Sequence, residues 1–236
     1  MILDQHFMVD EELCKRIVSY LKIRKDEAVL EIGPGKGALT NYLIKKTDKV
    51  VVIELSYKLS TELISKFKTV KVINESITNF KELNFDKIIG NLPYSVIEPL
   101  MNSLIVSKFS LAVFTVPNNF MKEGLLKILL PIFFEIETLE GVSKDSFSPK
   151  PKIKSKVITI KHKEMSEKEK IIREIYLQSD KKLENAIREA HCKILKLTKK
   201  QTKEKISKLS FLNKRVYTLN LDEWKEIVKE IEKEKI

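Results

Sequence analysis

The tetrapeptide Asn91-Leu92-Pro93-Tyr94 carries the residue types needed to hold a planar base that bears an exocyclic amine. It closes an apolar run, Phe85-Asp86-Lys87-Ile88-Ile89-Gly90, that reads as a buried strand. The Asn91 side chain and the Leu92 carbonyl can each accept a hydrogen from the amine. The Tyr94 ring can stack on the base, as on a nucleotide turned out of its helix. An aromatic amine is a poor nucleophile, because its lone pair is delocalised into the ring. Two acceptors gripping its hydrogens favour a pyramidal nitrogen, whose lone pair can attack an activated methyl group in line. Positioning and electrostatics drive such a transfer, without a metal or a strong base. Phe147 offers a second wall for the base, and the position also suits an ordinary core phenylalanine.

A second site lies upstream, in Glu31-Ile32-Gly33-Pro34-Gly35-Lys36-Gly37. Glycines let backbone approach a ligand closely, and a helix opening here would favour negative charge at its start. The run is neither Gly-x-Gly-x-x-Gly nor a Walker loop, which ends in Gly-Lys-Ser/Thr. Gly-x-Gly-x-Gly with an acidic residue just before it is typical of S-adenosylmethionine sites, and Gly33 and Gly35 are its candidate contacts. Glu54 ends the next strand, where a carboxylate can accept both hydroxyls of a ribose. Glu75, with Ser76 beside it, ends the third strand. It can accept from the donor's adenine amine, although Asn74-Glu75-Ser76 also reads as a plain turn.

The elements that must position these residues alternate. Glu11–Leu21 is an amphipathic helix with Leu13, Ile17, Val18 and Leu21 on one face. Strands are expected at 28–32, 49–55, 70–74, 87–90 and 111–116, with helices at 38–46 and 60–67 between them. Repeated strand–helix units mean a parallel sheet with helices on both faces. Two further strands, 133–142 and 155–162, are expected at the sheet edge. Between them Phe147-Ser148-Pro149-Lys150-Pro151-Lys152 forms a proline-stiffened basic loop. From Ser166 the pattern is helical, at 166–178, 181–195, 199–209 and 221–235, and Ser166 with Glu169 reads as a capping box. The expected division is a catalytic, donor-binding domain over residues 1–163 and an RNA-binding helical domain over 164–236.

The 236 residues carry a formal net charge of +11, which favours a polyanionic partner, though a lysine-rich surface alone has the same signature. Lys150, Lys152 and Lys154 flank the proline loop together with Lys144 and Lys156. Lys199, Lys200 and Lys203 belong to a second basic set with Lys193, Lys196, Lys205 and Lys208, opposed within it only by Glu204. Each set suits RNA phosphates or a solvated face. Cys14 and Cys192 are too far apart in sequence to suggest a metal or disulfide framework, and His6, His162 and His191 show no metal spacing. No apolar run reaches the ~18 residues of a membrane span. The opening residues lack the order of a signal peptide, so a cytoplasmic, monomeric protein without a metal is expected.

Together these motifs make the chain resemble the ribosomal RNA adenine N6-dimethyltransferases, the KsgA-type small-subunit rRNA dimethylases, as a short, archaeal-like member. The stretches that carry the resemblance are Gln5–Asp10, Glu31–Thr40, Val52–Leu55, Asn91–Val96 and Phe147–Ser155. The resemblance implies an α/β fold, a Rossmann-like S-adenosylmethionine-dependent methyltransferase sheet, with a small all-helical C-terminal domain. It implies dimethylation of N6 on two adjacent adenosines near the 3′ end of small-subunit rRNA in an immature subunit. By position, His6 and Met8 would cover the donor, Gly33 would lie against it, Glu54 would hold its ribose and Glu75 its adenine. Asn91 would stand between donor and target. The chain has His6 where the family usually has Asn, Glu75 for Asp, Pro117 for Gln, and a shortened segment at 118–130. Two other readings share the motifs: a large-subunit rRNA adenine N6-methylase of the macrolide-resistance type, and a non-catalytic RNA-binding assembly factor that keeps the fold.

Overall fold

The computed structural model describes residues 6–198, 201–202 and 209–234. The chain divides into two compact units, the first comprising residues up to Phe120 with Phe134–His162, the second Met121–Phe133 with the residues from Lys163 onward.

In the first unit, strands β2 (Val29–Ile32), β3 (Val50–Glu54), β4 (Lys71–Asn74), β5 (Lys87–Asn91) and β6 (Leu111–Pro117) are joined with β7 (Phe134–Val142) and β9 (Ser155–His162) in the order β4-β3-β2-β5-β6-β9-β7. The first five are mutually parallel, and β9 is antiparallel to both of its neighbours. Strand β9 therefore lies inside the sheet rather than at its edge as expected, and β4 and β7 are the edges. The order reverses between β2 and β5. A crevice opens outside the carboxyl ends of the strands at such a reversal.

Register fixes what faces that crevice. Ile32 pairs with both Ile53 and Gly90, so the ends of β2, β3 and β5 lie level. Alternation then puts Glu31, Val52, Glu54, Ile89, Asn91, Val113 and Thr115 on one face. Helix α1 (Glu11–Tyr20) packs Leu13, Cys14, Ile17 and Val18 there, with Leu43 of α2 (Thr40–Leu43) and Leu63 of α3 (Tyr57–Lys66) in the same core. The helix expected over 38–46 is a single turn, Thr40–Leu43, flanked by hydrogen-bonded turns. The glycine segment thus does not open a helix long enough to present an N-terminal anion site, and it acts through its own backbone. Right-handed crossovers put α4 (Tyr94–Val106) on the opposite face from α2 and α3.

The second unit packs Ile171, Ile172 and Ile175 of α6 (Glu167–Leu177) with Trp224, Ile227 and Ile231 of α8 (Leu221–Lys233), and adds α7 (Leu183–Leu195). The capping box forms: Glu169 N donates to Ser166 Oγ at 3.3 Å, and Ser166 N to Glu169 Oε2 at 2.9 Å. Helix α5 (Leu125–Phe133) belongs here rather than with the sheet, and Phe133 meets Tyr176 at 5.9 Å between ring centroids. Lys193 is not free of opposing charge: Glu174, on the neighbouring helix, takes its ammonium at 2.8 Å. Lys199, Lys200, Lys203, Lys205 and Lys208 lie outside the described residues.

At the order reversal the backbones approach closely. A Cβ on Gly90 would sit 2.7 Å from the Ile32 carbonyl oxygen, a backbone atom that cannot swing away. Gly90→Ala should lower unfolding stability by about 1–3 kcal/mol. Gly141→Ala, where a Cβ meets nothing within 4 Å, should stay within about 0.5 kcal/mol of wild type. Urea unfolding of the two variants checks the contrast.

Candidate active site

A cavity of about 560 Å³ occupies the crevice, bounded by the ends of β2 to β6 and by the proline loop. That is the size range of small-molecule sites. Its floor is the glycine turn. Gly33 (φ +64°) and Gly35 (φ +57°) are left-handed, a conformation that side-chain-bearing residues resist. A Cβ at Gly33 would meet no protein atom within 4 Å, so the backbone there is bare to a ligand. A Cβ at Gly35 would strike the Phe7 ring at 2.9 Å.

Glu54 is 4% exposed at the end of β3. Its Oε2 accepts from Gly35 N at 3.1 Å and its Oε1 from Ser56 N at 2.8 Å. These bonds fix the carboxylate while leaving each oxygen capacity to accept again, which suits a pair of hydroxyls. Glu75 also lines the cavity, yet its Oε1 accepts from Ser76 N (2.9 Å) and Asn79 Nδ2 (2.7 Å). Ser76 caps the short turn Ile77–Asn79. The stretch is a turn, and the turn forms part of the cavity wall.

Across the cavity the N-terminal residues form a strap. Strand β1 (Phe7–Met8) pairs with β8 (Phe147–Ser148), and Val9 N donates to Ser146 O. His6 Nδ1 is 2.8 Å from the Pro149 carbonyl, and Lys36 stands over the Phe7 ring at 5.0 Å. The strap sets Asn91: its Nδ2 donates to the His6 carbonyl at 2.9 Å. With the amide hydrogens turned to the strap, the amide oxygen is the part able to take a hydrogen from an amine. Leu92 N donates to Thr115 O at 3.0 Å, which anchors the next peptide. Pro93 is the N-cap of α4, so the tetrapeptide is a strand-to-helix junction. The Tyr94 ring lies outside the described atoms. Phe147 is 3% exposed; it is a core residue that also lines the cavity.

The ribosomal RNA adenine dimethylase model matches residues 2–233. The chain belongs to this family. A ribosomal RNA small subunit methyltransferase A of Malacoplasma penetrans is 37% identical over 175 residues, covering 67% of this chain and 64% of that protein, which is under two thirds of its length. The namesake in Borreliella burgdorferi is 30% identical over 245 aligned positions, 94% of this chain and 85% of that one. A dimethyladenosine transferase from Plasmodium falciparum superposes with a TM-score of 0.64 over 97% of this chain and 98% of that one, at 22% identity, which shows a shared fold.

The strap contact at His6 does not depend on its side chain, because the bond from Asn91 goes to its backbone carbonyl. Met8 is 7% exposed and lines the cavity. Lys150 is ion-paired with Asp145 at 2.5 Å, Lys152 and Lys154 are exposed, and Lys152 reaches the cavity wall. Cys14 is no nucleophile: burial pushes its thiol up to about 12. Among the described residues no cluster of three His, Cys, Asp or Glu could hold a metal. No helix among them is long and apolar enough to cross a membrane.

Two wall residues escaped the sequence reading as contacts. Thr115, opposite Asn91 in register, is buried, and among the described residues its Oγ1 has no hydrogen-bond partner. Glu31, read only as a motif marker, is 1% exposed and accepts from Thr40 Oγ1 at 2.6 Å. Burial pushes its carboxyl up to about 7, with the Glu54 charge adding to the rise and the Thr40 bond opposing it. The folded chain therefore binds this proton more tightly than the unfolded chain does. This contribution makes the protein more stable as pH falls from above 7 towards 4.5. Glu31→Gln should exceed wild-type stability at pH 8 by on the order of 3 kcal/mol, and by under about 1 kcal/mol at pH 5. Unfolding at the two pH values, without ligand, measures the difference.

Proposed function

We propose that this chain transfers methyl groups from S-adenosylmethionine to N6 of adenosines in small-subunit rRNA, on two adjacent adenosines near its 3′ end during subunit assembly. The observation that carries the reading is the amide of Asn91, oriented by the His6 carbonyl and level with the glycine turn and Glu54. The cavity suits the donor: Gly33 leaves bare backbone, Glu54 presents a fixed carboxylate to a ribose diol, and Glu31 is a buried carboxyl that a cation would draw into its charged form.

When bound, S-adenosylmethionine supplies an activated methyl group. The chain's own residues do the rest. Gly33 and Gly35 let the donor lie on the backbone, Glu54 holds its ribose, and Glu75 and Ser76 border its adenine. His6 and Met8 cover it. Asn91 and the Leu92 carbonyl accept the hydrogens of the target amine, so that its lone pair faces the methyl carbon. Tyr94 stacks on the base, and the proton leaves once the nitrogen is cationic, so no strong base is required. The first unit is the catalytic one; Lys150, Lys152 and Lys154 of its proline loop meet the rRNA, as does the helical unit with the lysines around 199–203. The setting is a cytoplasmic monomer acting on an immature small subunit.

Labelled-methyl transfer to immature small subunits, followed by mapping of the modified nucleotides, tests this. Wild type should label small-subunit adenosines. Asn91→Ala should lose about 10²- to 10³-fold in rate. Glu54→Ala should weaken donor binding in calorimetry by at least about tenfold, as expected for removing a ligand-facing carboxylate. Modification confined to large-subunit RNA, or donor binding without any transfer, would defeat the proposal.

A further inference from the structure

Strand β6 is buried along its whole length, and Thr115 is its one hydroxyl. The residue is 1% exposed and lines the cavity, and among the described residues Oγ1 has no hydrogen-bond partner. A hydroxyl taken from water without a partner carries a desolvation cost that the free protein does not offset. Such a group is explained if a ligand completes it.

The sheet order says which ligand. Glu75, Glu54 and Gly33 follow or end β4, β3 and β2, all on one side of β5. Thr115 lies on β6, on the other side, paired directly with Asn91. Strands are spaced about 4.8 Å apart, so Thr115 is one strand from the amide that grips the target amine and three from the carboxylate at the ribose. Its carbonyl already receives the Leu92 N–H.

We propose that the Thr115 hydroxyl hydrogen-bonds the acceptor base, beside the amine held by Asn91 and Leu92. This rests on the adenine-methylating reading above. Adenine carries acceptor ring nitrogens near its exocyclic amine, and a hydroxyl can donate to one of them while the amide and carbonyl take the amine hydrogens. The three groups then hold the base by its edge, which fixes its rotation in the plane as well as the pitch of the amine.

The test is Thr115→Val, which keeps the branched shape and removes the hydroxyl, measured beside Thr115→Ser and the similarly sized Thr115→Cys. Wild-type transfer to immature subunits is established first, and its absence would sink the functional reading itself. Given wild-type activity, Thr115→Val and Thr115→Cys should lower kcat/KM for the RNA about three- to tenfold. The donor dissociation constant should stay unchanged, the thermal midpoint of the valine variant should not fall, and serine should restore most of the rate. Unchanged kcat/KM in both hydroxyl-free variants overturns the contact. A matching loss of donor affinity overturns it too, by assigning the hydroxyl to the donor.

Discussion

The parallel pairing of β2 with β5 is the constraint on which the site depends. Ile32 against Gly90 aligns two strands that lead away in opposite directions across the sheet. The glycine turn leaves one strand end and the Asn-Leu-Pro-Tyr junction leaves the other. Because β3 pairs with β2 at Ile32–Ile53, Glu54 arrives one residue beyond the same level. The glycine turn and the Asn-Leu-Pro-Tyr junction thus follow neighbouring strand ends, and their separation is set by hydrogen-bond spacing rather than by loops. The missing side chain at Gly90 is what lets the backbones approach so closely.

Charge follows from the same geometry. Alternation along β2 and β3 turns Glu31 and Glu54 to one face, the face that α1 and α2 cover. Glu54 accepts from two backbone N–H donors, whereas Glu31 depends on Thr40 and is 1% exposed. A buried carboxyl in that position favours its neutral form until a cation joins it. On the proposed reading, a cationic donor beside Glu31 would supply that charge. Across β5 and β6 the wall is made of an amide, carbonyls and a hydroxyl. The strap joins this wall, since the backbone that pairs with Phe147 and Ser148 also orients Asn91.

Much of this was legible in the sequence because it is local. Short apolar runs marked the strands, Ser166 and Glu169 marked a helix start, and the glycine turn, Glu54 and Asn91 all line the crevice. Misses trace to identifiable signals. Helix α4 was hidden by Pro99 inside it, and α5 by Pro131 near its end, since proline argues against a helix interior. The helix after the glycine turn was drawn too long because Ala38 to Lys46 has helical residues but only four adopt the helix. The strap was not readable as structure at all: β1 and β8 are two residues each and 140 positions apart, so no periodicity announces their pairing. Phe147, read as a second wall for the base or as an ordinary core residue, is buried in that pairing and also lines the cavity. Thr115 left one signal, a lone hydroxyl in an apolar strand that ends at the crevice.

The central claim is that one cavity holds a methyl donor and an adenine amine on adjacent strand ends. The most direct measurement is calorimetric titration with a bisubstrate analogue, an adenosine whose N6 is joined by a short linker to the sulfur-side portion of the donor. The analogue should bind at least about tenfold more tightly than S-adenosylhomocysteine, because one molecule fills both halves. Asn91→Ala should abolish this advantage. An analogue that binds no better than S-adenosylhomocysteine, in wild type and variant alike, would contradict the claim.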